Sequence, residues 1–93
     1  MADTPERRAA RHQVAAYHEA SLIDLAQHVC AAVDEFQAGS LDVADLDKVI
    51  HQYHRASQEL WKFCTLEDAD FTSDLITHGV AIDWWDRGAL KRS

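Results

Sequence analysis

Residues 42–64 constrain this chain more than any other stretch. Val43, Leu46, Ile50, Tyr53, Ser57, Leu60 and Cys64 recur at alternating steps of three and four, a heptad seam with one polar gap at Ser57. Val49, Ala56 and Phe63 widen the seam into a stripe that can face more than one neighbour. A helix so apolar on one side is not stable alone, so the remaining chain must be arranged to cover it.

The flanking sequence supplies helices for that purpose. Three Gly and one Pro in 93 residues leave little material for the turns of an all-β fold, and the length suits a single core. Thr4, Pro5 and Glu6 form a helix start: a capping hydroxyl, proline at the first helical position, then an early acid. Nothing breaks the helical pattern before Gly39, a natural left-handed terminator. Asp42 and Asp45 then open the second helix, and Leu41 is placed to staple onto Leu46. A connection this short makes the two helices antiparallel.

These signals predict an all-α fold in one domain spanning residues 1–93. Its frame is a long antiparallel αα-hairpin, with helices over residues 5–38 and 42–64. A short third helix over 68–78 follows, opened by Glu67, Asp68 and Asp70, and a tryptophan-bearing turn over 83–88 is capped by Asp83. The third helix is expected to use Phe71, Leu75 and Ile76 as its apolar edge. Its task is to cover the overhanging half of helix one, which is rich in alanine at Ala9, Ala10, Ala15, Ala16 and Ala20.

The run from Ile50 to Cys64, containing Arg55-Ala56-Ser57-Gln58-Glu59-Leu60-Trp61-Lys62-Phe63-Cys64, and the later Asp83-Trp84-Trp85 carry a resemblance. Over about residues 33–88 the chain resembles a set of short bacterial all-helical proteins with no assigned activity. They share an acidic hairpin turn, an R-A-x-x-E-L-W-K-F-C-like helix and a D-W-W-like ending. The resemblance implies that the tryptophan ending belongs to the folded unit, and it carries no functional residue across.

Charge and motifs narrow the function classes. Sixteen Asp and Glu against nine Lys and Arg give a net charge of −7, a field that repels nucleic-acid phosphate and anionic membrane. No apolar run approaches the roughly 20 residues of a membrane span, and the polar start is unlike a secretory leader. Cys30 and Cys64 show no C-x-x-C spacing, which fits a reducing cytoplasm. In the hairpin they stand roughly 20 Å apart in height, and both are expected to be buried thiols. No nucleophile elbow or phosphate loop is present. A helical mutase that binds a dicarboxylate needs internal cations, and no Lys or Arg lies between Arg11 and Lys48. The chain is therefore read as not an enzyme and as needing no cofactor.

Six histidines raise a metal reading. Asp24/His28 and Asp47/His51 are spaced i, i+4, and His54 shares a face with His51, so these five side chains form a candidate set. In an antiparallel hairpin, however, His28 and His51 fall on different flanks of the seam. No Glu has a His three residues later, as an inward-facing di-iron bundle requires. His18 falls on the core register and is expected to be a buried, hydrogen-bonded histidine.

Helix one has apolar residues in two directions, at Leu22, Leu25, Val29 and Phe36 and at Ile23, Ala26, Cys30 and Val33. One hairpin partner buries only one of these directions. The second direction, with Trp61, Trp84 and Trp85, is the candidate partner-binding set. It predicts a protein partner, either another protein or a second copy that completes a four-helix bundle.

Overall fold

Each of the four helices begins at a side-chain cap. The computed structural model describes residues 4–65, 68–79 and 81–90. They form α1 (Pro5–Gln37), α2 (Val43–Thr65), α3 (Ala69–Thr77) and α4 (Trp84–Arg87), with no strand among the described residues. The Arg7 amide donates to the Thr4 hydroxyl at 3.1 Å, and the Asp45 amide to the Asp42 carboxylate at 2.8 Å. Asp68 accepts from the Asp70 amide at 2.8 Å, and Asp83 from the Asp86 amide at 3.1 Å. Each cap satisfies one of the amides a helix start leaves without a partner. Gly39 and Gly79, at φ of 82° and 73°, turn the chain out of α1 and α3.

The fold is all-α: α1 and α2 form the long hairpin and α3 is the short third helix. The molecule measures 55 × 30 × 24 Å, and α1 accounts for most of that length. Where α1 projects past the end of α2, α3 lies against it. Ala10 and Val14 are buried there. The Gln13 amide nitrogen donates to the Thr77 hydroxyl at 3.0 Å, the Ser73 hydroxyl donates to the Gln13 side-chain oxygen, and Arg7 meets Asp70 at 3.8 Å.

The buried edge of α3 differs from the expected one. Phe71 is exposed and Leu75 and Ile76 are half-buried, while Thr72 and Ser73 are buried. Polar satisfaction sets this rotation. The Thr72 hydroxyl donates at 3.3 Å to the Phe63 carbonyl, which lies in the last turn of α2, where carbonyls lack helical partners. Ser73 is anchored on Gln13 in the same way. Both groups are buried with partners, so burying them costs little. Glu67 of the expected acidic start lies outside the described residues.

The main core is Leu25, Ala56, Leu60 and Trp84, surrounded by Tyr17, Leu22, Tyr53, Phe63 and Ile82. The Trp84 ring is tilted against Phe63 with centroids 5.3 Å apart, and Phe63 against Tyr17 at 5.8 Å. The turn carrying α4 is drawn onto α2 through backbone. Gln52 donates to the Trp85 carbonyl at 2.9 Å and Arg55 to the Gly88 carbonyl at 2.6 Å. Gly88 is buried against α2 so closely that a Cβ there would lie 2.6 Å from the Ala56 nitrogen. Only glycine permits that approach.

Candidate docking face

The hairpin has two flanks, and the short helices cover one of them. On α2, Gln52, Arg55 and Ala56 point toward α4 and Gly88. The other flank carries an open groove of about 560 Å³ lined by Leu22, Tyr53, Ser57 and Trp61, with His18 and Lys62 among its other residues. From Ser57 the heptad step leads to Ile50 and Val43, so these residues share one face of the helix. Ile50 is 45% exposed, Val43 66% and Trp61 52%, with Leu46 and Tyr53 half-buried beside them. Along α1 the matching row is Leu22, Ala26, Val29 and Val33, all half-buried, ending at the exposed Phe36. Neither row contains a charged side chain.

The residues proposed from sequence divide among four environments. Ala26, Val33 and Trp61 belong to the open rows. Ile23, 54% exposed, and Cys30, also exposed, lie farther round α1. Their rotation from the core residue Leu25 is about 140–160° at about 100° per residue. Trp84 is no docking residue: it is 7% exposed, and its indole N–H donates to the Tyr17 hydroxyl at 2.8 Å. Trp85 is half-buried and stacks on His28 with ring centroids 4.2 Å apart and planes within 2°. Two neighbouring tryptophans on a helical turn point about 100° apart, so one fills the core while the other covers a surface ring.

The expectation of two buried thiols is corrected at Cys30, whose place at the rear of α1 leaves it in solvent. Cys64 is half-buried, and desolvation raises its pKa to about 11. His18 likewise sits in the open groove, half-buried, rather than in the closed core.

The five side chains of the metal reading do not gather at one point. His28 is held under Trp85. Asp47 and His51 form an exposed pair at 3.4 Å, a contact that Asp74 and His78 repeat at 3.3 Å on α3. Among the described residues no group of three or more His, Cys, Asp or Glu side chains is placed to hold a metal ion. No helix among them is long and apolar enough to cross a membrane.

Sequence reasoning overlooked Tyr17, Gln52, Arg55 and Gly88, which fix the terminal turn. The polar residues carry no pattern of their own, and a lone glycine after one helical turn resembles a terminator. Comparison with protein-family models, with curated proteins and with solved structures finds no match for this chain.

Proposed function

We propose that this chain is a small non-catalytic protein-interaction module of the cytosol, acting through the uncovered flank of its hairpin. The supporting observation is the uncharged row of Val43, Ile50 and Trp61, open to solvent beside the half-open Leu22, Val29 and Val33. Side chains of this size exposed in one continuous strip mark a surface that associates. Trp61 and Tyr53 are the natural anchors, since aromatic residues dominate the energy of protein interfaces.

Ile50→Asp tests the reading because the position is exposed and tolerates a charge in the isolated chain. Association, with itself by sedimentation or with another protein retained from native extract, should be lost in the variant. At concentrations where the natural chain is unassociated, helical circular dichroism and melting should be unchanged. If neither Ile50→Asp nor Trp61→Asp alters any association, the open flank is not an interface.

A further inference from the structure

We infer that the occupant of the open flank is a second copy of this chain, related by a two-fold axis, with the two α2 helices antiparallel. This rests on the interaction reading above and deepens it by naming the partner.

The first argument is size. The row from Val43 to Trp61 is 18 residues of rise, about 27 Å, and two helices side by side are about 20 Å wide. That face is on the order of 550 Å² in projection, and its corrugated accessible area approaches the roughly 800 Å² per partner of a stable interface. A hairpin laid on a hairpin buries it completely and makes a four-helix core.

The second argument is shape. A two-fold axis near residue 52 places Val43 over the partner's Trp61, Leu46 over the partner's Ser57, and Ile50 over the partner's Tyr53. At the two outer pairs a large side chain then meets a smaller one, and at the centre Tyr53 packs on isoleucine. The polar gap at Ser57 becomes the hole that receives a leucine knob.

The third argument is charge. The start of α2 carries Asp42, Asp45 and Asp47 against Lys48, whereas toward its far end Lys62 is balanced by Glu59 at 4.0 Å and Arg55 is turned away onto the Gly88 carbonyl. Antiparallel packing lays each acidic start beside the other copy's charge-balanced end. Parallel packing would bring the two acidic starts together. The rows themselves bury no charge, so no ion is desolvated when they close.

Sedimentation velocity on the natural chain across a micromolar dilution series should show a monomer–dimer equilibrium. Ile50→Asp should weaken it by at least about 100-fold, because each interface receives two buried carboxylates. Orientation is read by disulfide trapping in a chain carrying Cys30→Ser and Cys64→Ala. Val43→Cys together with Trp61→Cys should give a covalent dimer on oxidation, and Val43→Cys alone should not. Trapping by Val43→Cys alone would overturn the antiparallel arrangement. A natural chain that stays monomeric throughout would overturn the second copy as occupant. If such a monomer still retains another protein through Ile50, only this inference fails, and if it retains none, the interaction reading fails with it.

Discussion

The Trp84 indole N–H donates to the Tyr17 hydroxyl at 2.8 Å, joining residues 67 apart in sequence. Through this bond the last helix is fastened to the middle of the first. Trp84 is buried, so its donor has no water to turn to when the hydroxyl is removed. Tyr17→Phe should cost on the order of 1–2 kcal/mol in urea unfolding. Helix content should be retained.

Gly88 makes a stronger demand. Its added Cβ would sit 2.7 Å from the Ala56 Cβ, 2.6 Å from the Ala56 nitrogen and nearer still to the Gln52 carbonyl oxygen. These are mostly backbone atoms of a helix and cannot yield. Gly88→Ala should lift the terminal turn from α2 and destabilise the chain by about 1–3 kcal/mol. Trp85 would leave His28 at the same time, so its fluorescence should change alongside the melting temperature.

Thr72 tests the polar edge of α3. Valine keeps its shape but leaves the Phe63 carbonyl without the hydroxyl that donates to it at 3.3 Å. Thr72→Val should lower stability by about 1 kcal/mol in equilibrium unfolding. Phe71→Ala, by contrast, should be close to neutral, because Phe71 faces solvent.

The two thiols should react on different timescales. Cys30 is exposed, while burial raises the Cys64 pKa from 9.0 to about 11. At pH 8, alkylation followed by mass spectrometry should modify Cys30 first and Cys64 only slowly. Denaturant should equalise them. For stability the sign follows from linkage: the folded state keeps the Cys64 proton longer than the unfolded state does. Its contribution is fully present below pH 9 and is lost as pH rises through about 11.

Much of the fold was legible because its determinants are local. The caps at Thr4, Asp42, Asp68 and Asp83 and the turn at Gly39 act on residues within four positions. The heptad seam was a poorer guide: it is covered at Leu60 but open to solvent at Val43 and Ile50. The rotation of α3 was not legible. It depends on Gln13 and on the end of α2, which are distant in sequence and chemically ordinary. The candidate face was read in part for a similar reason. Helical phase places Ala26 and Val33 in the open row, but it says nothing of which flank the tail covers. Trp84 looked like a docking residue because its partner, Tyr17, carries no signal of its own.

The core around Leu60 lies well away from the Gly39 turn, and from Asp34 to Asp45 every residue but Leu41 is exposed. The hairpin's closed end therefore opens at less cost than the backbone around Leu25 and Ala56. Deuterium should enter there before it reaches those two residues.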